Sequence, residues 1–579
     1  MNIRQTLLPS LLSIVLIFLG GCSKPETSTF RTAKDGKFYG GTFRLNMVRG
    51  NPNGLDPVII NSKLADDIAL QIYDRLITFD SSLNVIPELA THWEISPDGK
   101  LYTFHLRTDA YFHDNKCFPN GKGRKMTARD VEYSLTRCCN PATRSVHFWA
   151  FKDRVLGATE YNVARLGGSN SPNTVSGIRV VDDSTIQIEL VRANAPFLLT
   201  LANSLGCVVP REAVELYGAD FFQNPVGTGA FIFEKWEHDR QMTLRRNPSY
   251  WNHDSAGNRL PFFDNVTISF IKDDKVQLQE FTKGGLDECF TIPTEFFDNV
   301  VDNATRTPKT PYDKYIFQAR PAMCTWFLDF LCTKPPFDNA DVRRAFSLAI
   351  DREKIVKYVL RNAPFAPAIH GITPPVMPNY PIDSIVGFGL DLTKAREYMA
   401  KAGYPNGKGF PTVTLHIYTE PRLVQVAEAV QKMLSEALNV KLEIKTVQFA
   451  ELLSLAEQGK INFWGTRWYG DYPDAENFIN LLDGSLVPKN ETEPSYPNSS
   501  RYSNPEATEA LNKAVASTNI QERSNYYRQA ESLAMKDAPA LMLFYEMHYR
   551  MLQPNVRNYP LDAMARVVLK NSWFAAGKN

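Results

Sequence analysis

The chain of 579 residues lacks a net charge of any size: 64 Lys and Arg face 63 Asp and Glu. So even a balance supplies no field for a nucleic acid or an anionic membrane surface, and a charged ligand has to be met by local placement. The usual metal signatures are missing too. There is no CxxC and no HExxH, and the nine histidines are scattered, which argues against a dedicated metal site. No GxSxG elbow is present, and no nucleophile–His–acid order stands out. "NPVGTGAF" (Asn224–Phe231) has two glycines but no Lys-Ser/Thr after them. It reads as a tight turn into a strand rather than a phosphate loop. Internal repeats and low-complexity tracts are absent.

Long apolar runs are confined to the N-terminus. "MNIRQTLLPSLLSIVLIFLGGC" carries one charge, Arg4, then an apolar run from Thr6 to Leu19 and small residues before Cys22. The run is shorter than the roughly 20 residues a bilayer span needs, and its layout is that of an export signal. "LGGC" resembles a bacterial lipobox, in which Cys22 is lipidated and becomes the first mature residue. The expectation is a signal peptide over 1–21, a lipidated N-terminus and polar tether over 22–38, and a body held outside the cytoplasm by a lipid anchor at Cys22. An uncleaved anchor helix is the alternative.

Of the eight cysteines, seven follow Cys22: Cys117, Cys138, Cys139, Cys207, Cys289, Cys324 and Cys332. An odd number leaves at least one thiol without an intramolecular partner, and a chain of this size does not need disulfides to build its core. The adjacent Cys138 and Cys139 read as one core and one surface position.

What is present is ordinary globular material, 44% hydrophobic and 22% charged, too long for one core and so expected to form two or three lobes. "THWEISPDGKLYTFHLR" (Thr91–Arg107) alternates on both sides of Pro97–Lys100 and predicts a hairpin. "IRVVDDSTIQIEL" (Ile178–Leu190) predicts another, turning at Asp182–Thr185. "MTARDVEYSLTRC" predicts a helix started by Thr127 with Asp130 three residues on. The second half alternates strand and helix: a helix over "ADVRRAFSLAI" with Asp351 capping a second, a short helix bracketed by Thr393 and Gly403, and a strand at Val413–Ile417. A helix opened by Pro421 and a strand at Val440–Ile444 follow, the pattern of a sheet flanked by helices.

The most unusual stretch is "FWGTRWYGDYPDAENF" (Phe463–Phe478). It sits where a strand ends, the place where ligands of open α/β sheets collect. Asp471 and Asp474 could form an acid/base pair, the chemistry of a hydrolase. Asp474 after Pro473 also suits a plain turn. Asp471, hemmed by Trp468, Tyr469 and Tyr472, is desolvated unless a cation meets it. That cation is either an internal one such as Arg467 or an amine on a ligand.

Taken in order, several stretches resemble the family-5 extracellular solute-binding proteins of bacterial ABC importers, the oligopeptide- and dipeptide-binding type. They are "LDP" (Leu55–Pro57), "YDRLITFDSSLNVIPELATHWEISPDGKLYTFHLR" (Tyr73–Arg107), "FHD" (Phe112–Asp114), "TARDVEYSL" (Thr127–Leu135), "PVGTGAF", "RRNPSYW" (Arg245–Trp251), "KPPFDNADVRRAFSLAIDREKIV" (Lys334–Val356), "KAGY" (Lys401–Tyr404) and "WYGDYPDAENF". "NKCFPNGKGRKM" (Asn115–Met126) is longer than the tight turn usual there. The resemblance implies an α/β fold, a type II periplasmic-binding-protein-like clamp of two α/β lobes with a smaller α+β lobe inserted. Lobe I would comprise 39–84, 214–317 and 547–579, lobe II 85–213, and lobe III 318–546.

It further implies a monomeric receptor that closes over a peptide and passes it to the permease subunits of an ABC importer, with no catalysis, cofactor or resident metal. Asp471 would pair with the peptide's α-ammonium, and the main chain of Arg467, Trp468 and Tyr469 would bond the peptide backbone as an added strand. Asn61, Ser62 and Lys63 would face them from lobe I, and Trp326 and Trp468 would either narrow the pocket or sit in the core. A disulfide some relatives form would need cysteines at 324 and 469, and here position 469 is Tyr. An arginine some members carry near Gly465 to meet a peptide C-terminus is missing. A haem, nickel-complex or oligosaccharide cargo is the alternative within binding.

Overall fold

The computed structural model describes residues 30–47, 52–169 and 172–575. The signal segment and the lipidation site Cys22 lie outside the described residues. The latter part of the stretch read as a tether is instead a small hairpin, Arg31–Thr32 paired with Phe38–Tyr39. Phe30 meets Phe574 edge-on and Lys37 bonds Asp254 at 2.6 Å, contacts that a polar-composition argument does not register. Among the described residues no helix is long and apolar enough to cross a membrane.

The chain opens with strand β1 (Thr42–Asn46) and helix α1 (Lys63–Ile72). The hairpin expected around Pro97–Lys100 is β2 (Ala90–Ile95) and β3 (Leu101–Leu106), turning through Gly99 at φ +70°, a value that glycine alone adopts without strain. Helix α2 (Ala128–Cys139) starts as its sequence requires, with the Asp130 carboxylate accepting the Thr127 N–H at 2.9 Å. Cys138 and Cys139 are both buried. The helix has the hairpin β4 (Ile178–Asp182) and β5 (Thr185–Glu189) on one side and the Leu205 segment on the other, so two adjacent faces are covered. Strands β2-β3-β5-β4 form one four-stranded sheet. Strands β6 (Phe231–Glu237), β7 (Gln241–Arg246) and β8 (Asn265–Ser269) form another with β1, which lies parallel to β8.

A larger sheet is built from strands of the second half of the sequence. It contains β9 (Glu288–Phe290), the 15-residue β10 (Ile316–Phe330), β11 (Val413–Tyr418), β12 (Leu442–Val447), β13 (Phe463–Tyr469) and the 13-residue β14 (Ala540–Leu552), in the order β9-β14-β10-β13-β11-β12. Helices α3 (Ala340–Leu348), α4 (Leu392–Lys401), α5 (Pro421–Leu438) and α6 (Phe449–Glu457) flank it. Asp351 caps the short helix after α3 by accepting the Lys354 N–H. The cap of α4 is Asp391, accepting the Lys394 N–H, rather than Thr393. The ionised carboxylate is the stronger acceptor and complements the helix dipole. Helices α7 (Glu476–Ile479), α8 (Pro505–Ala516) and α9 (Ile520–Lys536) complete the chain order before β14.

Two long strands, β10 and β14, join separate cores. At one end they border a small apolar cluster around Phe281, Phe297 and Met551, and at the other a large one around Phe330, Phe463 and Leu541. Their pairing slips between Pro321 and Thr325, so the ladder is interrupted between the two cores.

Several family-like motifs explain themselves as structure. Asp74 of "YDRL" is buried and accepts from Tyr250 Oη (3.0 Å), Trp251 Nε1 (2.9 Å) and Thr228 Oγ1 (2.9 Å). The Arg107 guanidinium of "FHLR" lies 3.3 Å over the Trp251 ring.

Candidate functional site

Where β1, the start of α1 and the end of β13 converge there is a cavity of about 610 Å³. Asn61, Ser62 and Lys63 line it from one side, Tyr469, Gly470 and Asp471 from the other. Ser62 is committed as the N-cap of α1, its Oγ accepting the Ala65 N–H at 3.3 Å. Lys63 is held by Asp67 and by the Ala565 carbonyl at 3.0 Å. A second hollow of about 710 Å³ is lined by Tyr111, Arg245 and Trp251 among others, and none of the expected site residues borders it.

The opposing wall follows from strand register. Cys324 sits directly opposite Tyr469 and Thr325 opposite Trp468 on the antiparallel pair β10–β13. The Gly470 N–H donates to the Met323 carbonyl at 2.9 Å, which sets the phase of the ladder. Bonded pairs then fall on alternate residues, so the main-chain groups of Trp468 point to β10 while those of Arg467 and Tyr469 turn to the other edge. On that edge β11 pairs through His416–Trp464 alone.

Asp471 emerges just past the strand. Asp471 is exposed to solvent at the cavity wall, with protein packed close around its carboxylate. Burial pushes its pKa up to about 6, the Asn477 side chain opposes the shift, and the negative charges of Asp66 and Glu476 add to it. Among the described residues no Lys, Arg or His nitrogen lies within 4.0 Å of this carboxylate. The cations that do line the cavity are each paired: Lys63 with Asp67, Arg566 with Asp562 at 2.9 Å, and Arg550 with Glu288 at 3.5 Å. The carboxylate therefore faces the hollow uncompensated, an arrangement that is costly when empty and favourable to an entering cation.

The remaining sequence expectations fare differently. Trp326 does not line the cavity: it is 2% exposed, its Nε1 donates to Glu546 at 2.9 Å, and its ring is stacked on Phe544. The Arg467 guanidinium sits 4.5 Å over that ring and 3.7 Å from Glu420. The Arg467 side chain is thereby committed to the lobe and only its main chain is turned to the edge. Trp468 is also outside the lining; its Nε1 donates to Asn477 Oδ1 at 3.0 Å. Asp474 does not share a site with Asp471. It is 6% exposed, accepts the Glu476 N–H at 3.0 Å and lies 3.7 Å from Arg523.

Two participants had no sequence signal. Asn477, 5% exposed, uses one oxygen to accept both the Trp468 indole and the Asp471 N–H. His548 lines the cavity with its ring parallel to Tyr469 at 6.2 Å. Burial pushes its pKa down to about 4, so the ring is neutral at neutral pH, and its Nε2 has no hydrogen-bond partner among the described residues.

The residues 85–213 that carry the β2–β5 sheet also reach helices α7 and α8. The Ala195 N–H donates to the Val515 carbonyl at 2.9 Å, and Arg154 lies 3.9 Å from Glu476. Val146, Trp149 and Leu205 from the same part border the cavity.

A cavity enclosed by parts of the chain joined through two long strands, with one uncompensated carboxylate inside, defines a binding clamp. A family model for bacterial extracellular solute-binding proteins, family 5 (middle region), matches residues 84–489. The chain belongs to that family; its relatives are substrate-binding proteins, and this is not an enzyme. It is 27% identical over 576 residues to heme-binding protein A of Haemophilus influenzae, covering 96% of this chain and 97% of that one. It is also 27% identical to the dipeptide-binding protein of Escherichia coli over 533 residues, 90% and 92% of the two chains. The periplasmic binding protein DppA of Helicobacter pylori, solved with peptide STSA, superposes with a TM-score of 0.76. That match has 23% identity over 93% of this chain and 98% of the other, and it shows the type II binding-protein fold.

Proposed function

We propose that this chain is an extracytoplasmic peptide receptor, held to the membrane through lipidated Cys22 after loss of residues 1–21, that delivers its cargo as a monomer to an ABC importer permease. Residues 39–84, 214–317 and 547–579 form one jaw and 318–546 the other, with 85–213 closing the side. Asp471 takes the peptide's α-ammonium. The main chain of Arg467 and Tyr469 bonds the peptide backbone, and Asn61–Lys63 oppose it.

The observation that carries this reading is the Asp471 carboxylate, standing at the cavity wall without a cation within 4.0 Å among the described residues. An ammonium there converts an unpaired charge into a charge-assisted hydrogen bond, while main-chain pairing gives affinity without reading side chains. The test is native mass spectrometry of the protein as purified from cells. Released peptides with free N-termini support the proposal, and a cargo without an amine contradicts it.

One observation favours a second cargo. His548 borders the cavity with its Nε2 buried and without a hydrogen-bond partner among the described residues, so the nitrogen would reach a ligand only if the ring turned inward. The relative in Haemophilus influenzae is named for haem. Under this reading the nitrogen ligates haem iron. Titration with haemin would then give a sharpened Soret band that His548→Ala abolishes, and an unchanged spectrum excludes it.

A further inference from the structure

The outer face of the β2–β3 hairpin carries a cluster that the binding cavity does not use. His92 on β2 stands directly opposite His105 on β3. The two imidazole rings are stacked, centroids 4.3 Å apart and 9° from parallel. Glu94, two residues along β2 and therefore on the same face, places its Oε1 3.6 Å from His105 Nε2. One ligand atom from each of the three residues falls within 4.8 Å of the other two.

The hydrogen bonds of Thr91 place the lone pair of His92. Thr91 Oγ1 has a single hydrogen, which it donates to the His105 carbonyl at 3.0 Å. Its contact of 3.0 Å with His92 Nδ1 must then be one in which Thr91 accepts. His92 is thus protonated on Nδ1 and bears its lone pair on Nε2. A hydrogen bond from the far ring nitrogen is the arrangement that orients a metal-binding histidine. His105 Nε2 is buried and has no hydrogen-bond partner among the described residues, an unusual condition for a ring nitrogen.

We infer that His92, His105 and Glu94 form a surface site for a divalent transition-metal ion. Two imidazole nitrogens and one carboxylate oxygen suit Zn²⁺, Cu²⁺ or Ni²⁺ rather than the oxygen-seeking Ca²⁺ or Mg²⁺. Tetrahedral zinc with bonds of about 2.0–2.1 Å holds its ligands roughly 3.3 Å apart, closer than the 4.8 Å span of the set. His92 and Glu94 are exposed, so their side chains can rotate inward without disturbing a core. Three protein ligands leave a fourth position for water or for a group on another molecule. The site is independent of what the cavity holds.

The mature chain without an affinity tag, stripped by a chelator, should be titrated with Zn²⁺ and with Cu²⁺. One equivalent of each is expected, with Cu²⁺ giving an electron paramagnetic resonance spectrum split by two imidazole nitrogens. His92→Ala and His105→Ala should each lose that equivalent and that splitting, and Glu94→Gln should weaken binding at least several-fold. Melting of these variants in metal-free buffer should match the unaltered chain. Failure of the unaltered chain to bind either ion overturns the assignment. So does a His92→Ala, His105→Ala double variant that binds as tightly as the unaltered chain, because the ion would then sit elsewhere, for example on the seven thiols.

Discussion

The side-chain oxygen of Asn477 accepts the main-chain N–H of Asp471 at 2.9 Å, and the same oxygen takes the Trp468 indole N–H at 3.0 Å. Asn477 therefore fixes where the Asp471 carboxylate stands without having to touch a ligand. Replacing it by Ala strands two donors, which costs about 1–3 kcal/mol of stability, and releases the main chain that positions the Asp471 carboxylate. Asn477→Ala should weaken peptide binding, and Asn477→Asp should not restore it at neutral pH, because it exchanges the amide donor 3.5 Å from the Asp471 carboxylate for a second negative charge. Calorimetric titration of both variants checks this.

The raised pKa of Asp471 gives binding a pH profile. The carboxylate is pushed up to about 6 in the empty protein, first by burial and then by Asp66 and Glu476. A bound ammonium favours the charged form, so binding releases a proton below that pH. Affinity for amine-bearing peptides should fall as pH drops through about 6, by up to about tenfold per unit, and level off above it. Asp471→Asn should flatten the profile, measured by titration between pH 4.5 and 8.

The same shift acts on stability in the opposite sense. An acid whose folded pKa lies above its unfolded value binds more protons when folded, so its contribution falls as pH rises from about 4 to about 6. At pH 7 the empty protein holds an unpaired carboxylate, and Asp471→Asn should raise its melting temperature, by on the order of 1 °C. Asp67 and Asp74 are also raised to about 6 by burial, so only the difference between variant and unaltered chain isolates Asp471. Differential scanning calorimetry at pH 4 and pH 7 should show the gain at pH 7 only.

Asp74 is structural. Asn in its place keeps one acceptor but presents an amide to donors held by Tyr250, Trp251 and Thr228. Asp74→Asn should destabilise the chain by about 2–4 kcal/mol, leaving peptide affinity at moderate temperature within about threefold. Denaturant melts paired with titration separate the two effects.

Much of the fold was legible because its signals are local. The turn at Gly99, the acid that starts α2, and the strand–helix alternation after residue 413 each depend on a few adjacent residues. Asp471 stood out in the sequence because aromatics crowd it, and its pairing with an ammonium is the proposal. What stayed hidden depends on register and distant approach. Nothing near Trp326 says that Glu546, 220 residues away, takes its indole, so pocket wall and core stayed equally open. Asn477 and His548 are ordinary residues until β10, β13 and β14 align. His92 and His105 became neighbours only through the cross-strand pairing of β2 and β3, a relation that motif spacing along the chain does not express.

The central claim is that Asp471 recognises an amine inside the closed clamp. Its most direct test is titration of one peptide sequence in two forms, free at the N-terminus and N-acetylated, into the unaltered chain and Asp471→Asn. The account predicts a large preference for the free amine, at least tenfold, that Asp471→Asn removes by weakening the free form alone. Equal affinity for the two forms in the unaltered chain, or an equal loss for both in the variant, would contradict it.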